Sequence, residues 1–277
     1  MPACNFPAPL LYTKSDIELQ CTFKAGPLVE TLKRILPARG PEGDGARAWL
    51  NGVNFKQKGR DVELCTTDTF RLALETITPD NKATYGDCGK VYIMPAGPLD
   101  LLLKAHKAKA VKDDAKLSLI FTKTHMFIEG EGLRFAGRLL EGEFPQYERL
   151  INGLAPCVTI AGQAEDFADA LKDMKGVLLD KLGGVEFALS EAEVKLSVVN
   201  RSGATVGATI KTAVPAQIKG EAADGDAFVL RHTYVHEYMQ AMGEADTVIG
   251  YASKRQPVLF TSAAVPNHKC VIMPITR

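Results

Sequence analysis

The sequence predicts an α+β chain built from two similar domains in tandem, on three observations. At 277 residues the chain is longer than one small core requires. Short strand-type apolar runs are interspersed with helix-type segments in each half. The order strand, helix, strands, strand, helix, strands occurs twice, offset by roughly 130–140 residues, about one domain length.

Taken in order, residues 1–15 hold three prolines and no periodicity, and read as an extended N-terminal arm. DIELQCTFKA, 16–25, alternates Ile17, Leu19, Cys21 and Phe23 on one face, a half-buried strand. A helix follows from Gly26 to about Leu36, with Pro27 in its first turn and Leu28, Leu32, Ile35 and Leu36 at helical spacing. Residues 37–47 form a glycine-rich loop; no GK[ST] follows, so it is not a P-loop. Residues 49–77 read as a hairpin turning near Lys58, Gly59 and Arg60. Val91 to Pro95 is a strand, Leu99, Leu102 and Leu103 mark the inner face of a helix, and 116–142 is a further hairpin.

The second half repeats this. CVTIA, 157–161, is a strand, and Phe167, Leu171 and Met174 mark a helix. Residues 185–214 give strands, FVLR at 228–231 another, and Val235, Met239 and Met242 mark a second helix. TVIGYASKRQPVLFTS and KCVIMPI close the chain as a hairpin. The expected organisation is an arm at 1–15, a domain at 16–142, a connector at 143–156 and a second domain at 157–277.

Composition excludes several classes. Hydrophobic content of 46% with 24% charged residues is ordinary for a soluble globular protein. No run of about eighteen apolar residues is present, and the N-terminus has no secretory pattern, so the expected location is cytoplasmic. The six cysteines are scattered without a CxxC and read as buried free thiols rather than disulfides. The formal net charge is zero, so a nucleic-acid surface would have to be locally basic. His232 and His236, four apart beside Glu237, have a zinc-compatible spacing, but the order is not HExxH and no third ligand stands out; a structural role is favoured. No nucleophile–base arrangement appears, and Asn200-Arg201-Ser202 is a glycosylation sequon on paper alone.

The chain is organised around LCTTDTFRLAL, 64–74. Leu64, Leu72 and Leu74 suit a strand, while Thr66, Thr67, Asp68 and Thr69 can bond their own backbone and kink its centre. By itself the Asp68–Arg71 pair reads as an outward ion pair of little consequence. Three further stretches give it meaning: AWLNGVNF with Leu50, LEGEFPQYERLI at 140–151, and the ending PVLF and CVIMPITR. In this order and spacing the four resemble the YLNG-type strand, TDxxRLA strand, DGxFPxYxRV connector and MPxR-type ending of the bacterial DNA polymerase III β sliding clamp family. The resemblance runs from about residue 16 to the C-terminus and corresponds to the second and third domains of a three-domain clamp.

The resemblance implies two tandem DNA-clamp domains, each with two helices packed on antiparallel sheets, assembling into a ring. It also implies a protein-binding cleft for short linear motifs. Motif by motif the cleft falls on Leu50; on Thr67, Thr69, Phe70, Arg71 and Leu72; on Pro145, Arg149 and Leu150; and on Val271, Met273, Pro274 and Ile275, with Pro257 a weaker member. Leucines, Val271, Met273 and Ile275 would form apolar walls, and Arg71 and Arg149 would offer donors at the rim. The same residues could simply join two domains. Thr69 and Phe70 depart from the family, which commonly has a small residue followed by His or Tyr.

A basic face is the second implied feature. Lys104, Lys107, Lys109 and Lys112 lie in LLLKAHKAKAVK, with Lys104, Lys107 and Lys112 sharing an arc if the helix spans them. Lys33, Arg34, Lys172 and Lys175 fall near helix C-termini, where cations also complement the helix dipole. If the helices line a hole, these side chains would hold duplex phosphates without reading sequence. Arg47 and Trp49 precede the LNG strand, where the family has DNA-facing loop residues; a packed Trp49 is the competing reading.

The function so implied is that of a non-enzymatic processivity factor. It would encircle duplex DNA, need no cofactor or metal, and tether a replicative DNA polymerase and other replication proteins. A clamp loader would open it. Two domains per chain would require three chains for six domains around the hole, hence a homotrimer with paired edge strands. The rival readings are an open adaptor that binds clamp-motif peptides without encircling DNA, and a metal-dependent enzyme resting on His232 and His236.

Overall fold

The computed structural model describes residues 10–275 except 44, 81–89, 131, 179–182, 191, 200–210 and 222–226. The first part of the arm, Cys4, Cys88, the sequon at 200–202 and residues 204–210 of the expected strand therefore lie outside the described residues. The chain forms two compact units: residues up to 32 with 43–64 and 76–143, and residues 33–42 and 65–75 with 144–277.

In unit 1, the arm enters through a 3-10 turn, Lys14–Asp16, closed by Thr13. The Thr13 N–H and hydroxyl both donate to Asp16 Oδ2 at 2.7 Å. This turn replaces the start of the expected strand, so β1 is Leu19–Lys24. Helix α1, Ala25–Ile35, follows without a loop. Leu28, Val29 and Leu32 point inward and are at most 1% exposed.

Residues 49–77 form three strands rather than one hairpin: β2, Gly52–Lys58, β3, Asp61–Thr67, and β4, Arg71–Ile77. The first turn falls at Gly59, whose φ is +63°. The second break, at 68–70, comes from local polar bonding described below. Then come β5, Val91–Pro95, α2, Ala96–Lys107, β6, Lys116–Phe121, β7, His125–Gly130, and β8, Leu133–Arg138. The expected hairpin at 116–142 is thus three strands. One sheet of unit 1 has the order β1-β6-β7-β8, and β2 pairs antiparallel with β5. In its aromatic core Phe121 packs tilted against Phe55 at 4.5 Å and stacks on Tyr92 at 4.6 Å.

Unit 2 contains α3, Tyr147–Asn152, β9, Val158–Gln163, α4, Ala164–Met174, β10, Gly184–Leu189, and β11, Glu193–Val199. It continues with β12, Lys211–Pro215, β13, Gln217–Lys219, β14, Ala227–Arg231, α5, His232–Met242, β15, Asp246–Tyr251, β16, Val258–Thr261, and β17, His268–Ile272. One sheet runs β12-β11-β10-β14; the other carries β13-β9-β15-β16-β17-β4. Phe187 stacks on Phe228 at 5.1 Å and Phe228 on Tyr251 at 4.3 Å, at the centre of the core that α4 and α5 cover. The fold class is α+β, with helices on antiparallel sheets. No helix among the described residues is long and apolar enough to cross a membrane.

Candidate protein-binding groove and basic face

The groove begins with a turn that the polar residues of TTDTFR build for themselves. The Thr67 hydroxyl donates to the Arg71 carbonyl at 2.7 Å and accepts the Thr69 N–H at 3.1 Å. Asp68 Oδ1 accepts the N–H groups of Phe70 at 3.0 Å and Arg71 at 2.9 Å. Thr69 is driven to a φ of +78°, a costly position for a β-branched residue and one that suits a small residue. The side chain of Phe70 is thrown outward and is 54% exposed.

β4 leaves this turn and pairs with β17, placing Leu72 opposite Val271. These two pack with Cys65, Leu74 and Tyr147, and with partly buried Phe144, Ile151, Leu154 and Leu259. Tyr147 brings α3 onto this floor, which leaves Arg149 and Leu150 of the same helix exposed. The Met273 N–H donates to the Phe70 carbonyl at 2.8 Å, so the C-terminal segment lies beside the turn. The Ile275 N–H donates to the Val229 carbonyl at 2.8 Å, carrying the segment along β14. Phe70, Leu150 and Met273, the latter two 39% exposed, are large apolar side chains in water around this apolar floor.

Within unit 2 the structure therefore gathers Thr67, Thr69, Phe70, Leu72, Leu150, Val271 and Met273. Pro274, Ile275 and Pro257 are half-buried in the same unit, and Pro145 is exposed two residues before Tyr147. Leu50 is 3% exposed and belongs to unit 1.

Arg71 departs from expectation. It is not an open rim donor, because its side chain is only 9% exposed and its guanidinium is fully engaged. Nε donates to Asp68 Oδ2 at 3.1 Å, Nη1 to Glu237 Oε2 at 2.5 Å, and Nη2 to the Pro37 carbonyl. The guanidinium also lies 4.1 Å from the Tyr234 ring centroid. Arg231 lies 4.6 Å from the same centroid and 5.4 Å from that of Phe70. Burial, with the nearby Asp68 charge, raises the Tyr234 hydroxyl to about 12, so it stays protonated. Sequence reasoning missed Arg231 and Tyr234; they are far from the turn in the chain and belong to no recognised motif. Arg149 is exposed in the same unit.

The basic candidates scatter more. Lys104 and Lys107 are exposed in the last turn of α2, and Lys172 and Lys175 are exposed at the end of α4 and just beyond it. Lys33 is exposed near the end of α1. Arg34 is drawn inward instead: it grips Glu75 through Nε at 2.8 Å and Nη2 at 2.6 Å. Glu75, 3% exposed, also lies 3.0 Å from His268 Nδ1. This commits Arg34 to a buried pair rather than to phosphate. α2 ends at Lys107, so Lys109, at φ +58°, and Lys112 do not share its arc. Arg47 is exposed, and Trp49 packs against the Cα of Gly142.

His232 is 2% exposed, and its Nε2 lies 2.7 Å from the Leu171 carbonyl, which accepts. Its ring stacks on His236 at 5.7 Å. Among the described residues no group of three or more His, Cys, Asp or Glu side chains could hold a metal. Cys21, Cys65 and Cys270 are buried free thiols; Cys157, expected to be buried, is exposed.

The fold itself identifies the class. The Pseudomonas aeruginosa DNA polymerase sliding clamp, solved with a ligand, superposes on the whole of this chain with a TM-score of 0.83 at 18% identity, over 70% of its own length. The Eubacterium rectale DNA polymerase III beta subunit superposes on 98% of it with a TM-score of 0.82 at 12% identity, over 68% of its length. The fold is that of a DNA polymerase sliding clamp. In sequence, residues 38–146 match the model of the DNA polymerase III beta subunit, central domain. The beta sliding clamps of Treponema pallidum and Streptomyces coelicolor are 21% and 23% identical over 84% and 82% of this chain. The chain spans 59% of the length of each of these two relatives.

Proposed function

We propose that this chain is a sliding clamp that encircles duplex DNA and tethers a replicative polymerase, without chemistry of its own. The observation that carries the reading is three large apolar side chains left exposed in the unit that holds one buried apolar cluster. Phe70, Leu150 and Met273 stand exposed around a buried floor of Leu72, Val271 and Tyr147. That composition, exposed apolar side chains with a soft methionine and an arginine beside them, suits a linear peptide with aliphatic or aromatic anchors. A closed ring would not need tight DNA contacts, because topology retains it and tethering raises the polymerase concentration at the primer end. Lys33, Lys104, Lys107, Lys172 and Lys175 are the cations we assign to duplex phosphates.

The ring is proposed to contain three copies, six domains in all, opened by a clamp loader in the cytoplasm. We assign the copy-to-copy contacts to β8 and β12, each the last strand of a four-stranded sheet. The first test is native mass across a concentration series. A species of three chains is expected, and it should remain on closed circular DNA but slide off linear DNA. A persistent monomer or a stable dimer would overturn the trimeric ring. A monomer that still binds clamp-motif peptides would establish the open adaptor in its place.

A further inference from the structure

In unit 1 the arm and the sheet β1-β6-β7-β8 line an open cleft of about 620 Å³. Tyr12 fastens the arm there. Its ring packs on Phe127 at 4.7 Å, its hydroxyl donates to Glu129 Oε2 at 2.8 Å, and the Arg134 guanidinium lies 5.2 Å from its centroid. Burial, then the bond to Glu129, raises that hydroxyl to about 12, so it stays a donor. Lys14 and Ile17 line the cleft from the arm, and Gln20, Lys116, Ser118 and Ile120 line it from β1 and β6.

The cleft gathers positive charge against the preference of the sheet. Lys24 and Lys116 are direct cross-strand partners in the β1–β6 register, and both are exposed. They alternate with Phe23 and Leu117, which are buried on the opposite face, so the two ammonium stems share the outer one. Like charges directly opposite destabilise a strand pair. Lys14, also exposed, brings a third cation to the cleft that Lys116 lines. None of these three lysines is in an ion pair among the described residues. The carboxylates of the same segments are committed elsewhere. Glu129 accepts from Tyr12 and pairs with Arg134 Nε at 2.7 Å, Glu18 pairs with Lys90, and Asp16 accepts the N–H and hydroxyl of Thr13.

Lysine is a point charge without the planar fork of arginine, so a cluster of ammonium groups beside the Ser118 hydroxyl suits a tetrahedral dianion better than a planar carboxylate. The volume exceeds what a bare phosphate fills, and Ile17 and Ile120 add apolar surface for an organic body. We propose that the cleft beside the arm is a binding site for a small phosphate monoester, its phosphate group held by Lys14 and Lys116 with Lys24 and the Ser118 hydroxyl nearby. The site is independent of the peptide groove and of the ring, since all of its residues belong to unit 1.

The test is isothermal titration calorimetry on the full chain with phenyl phosphate, a dianionic monoester at about pH 7.5. Inorganic phosphate, dimethyl phosphate (a monoanionic diester) and benzoate are titrated beside it. Phenyl phosphate should bind one molecule per chain and more tightly than inorganic phosphate, with dimethyl phosphate and benzoate weaker by about tenfold or more. Lys14→Gln and Lys116→Gln should each weaken phenyl phosphate about fivefold, Lys24→Gln by less. Lys219→Gln, on β13 of unit 2, should leave it unchanged. The three cleft lysines are exposed, so these variants should fold, and Lys24→Gln should raise the melting temperature by relieving the opposed pair. Phenyl phosphate should also slow trypsin cleavage after Lys14. No saturable binding up to about 10 mM overturns the proposal, as does an affinity unmoved by both Lys14→Gln and Lys116→Gln. Equal affinity for monoester and diester overturns it too, and would make the lysines a general polyanion surface.

Discussion

Replacing Arg71 with alanine should destabilise unit 2, not merely blunt a binding surface. The side chain is 9% exposed and satisfies Asp68, Glu237 and the Pro37 carbonyl while stacking on Tyr234. Asp68, itself 9% exposed, would lose its charged partner but keep two backbone donors, a cost of about 1–2 kcal/mol. The Pro37 carbonyl would lose a charged donor, about 1 kcal/mol, and the ring contact about 0.5–1 kcal/mol more. Glu237, 43% exposed, would rehydrate at little cost. The sum is about 2.5–4 kcal/mol, which lowers the melting temperature of a domain this size by roughly 5–12 °C. Differential scanning calorimetry with urea titration reads it directly. Arg71→Lys should recover about half, since it restores charge but not the fork. A melting temperature lowered by less than about 2 °C would refute the pinning role and return Arg71 to the rim.

Three further outcomes are expected. His232 and His236 are held below the ordinary value of 6.5 first by burial, with Lys175 adding repulsion in both cases. The unfolded chain therefore takes up protons that the folded one refuses. Their contribution to stability is complete above about pH 6.5 and is lost as the pH falls below it, so the urea midpoint should drop on acidification and less so in His232→Asn; a midpoint that holds or rises in acid would contradict this. Gly142→Ala would place a Cβ 2.6 Å from Trp49 Cδ1 at a φ of +141°, so the emission of the single tryptophan should shift red and unit 1 should lose about 1–2 kcal/mol, whereas an unchanged spectrum would mean Trp49 is not packed there. Lys104→Glu with Lys107→Glu should shorten retention on circular DNA, with a shallower dependence on salt and an unchanged melting temperature, because both side chains are exposed; equal retention would mean a merely solvated face.

The alternation of Leu19, Cys21 and Phe23 is buried in β1 as read. Leu99 and Leu102 are buried in α2, and Phe167, Leu171 and Met174 in α4. These patterns are local and were legible in the chain. Strand counts were less so, because TTDT and its neighbours compete for hydrogen bonds within four residues and split one apolar run into β3 and β4. The acidic-capped turn at Thr13 shortened β1 for the same reason. The ordered motifs pointed to the apolar members of the candidate groove. They said nothing of its electrostatics, because whether an arginine is paired depends on carboxylates remote in the chain.

The sequence by itself determined the α+β class and the repeated strand and helix order, since each is a matter of period and composition. Tertiary structure alone decided which charges are spent. It buried Arg71 against Asp68, Glu237 and Tyr234, tied Arg34 to Glu75, and left Arg231 beside Phe70 with no carboxylate. Hydrophobic burial follows a residue's own side chain and its near neighbours, whereas an ion pair depends on a second residue whose distance is set only once the sheets have paired.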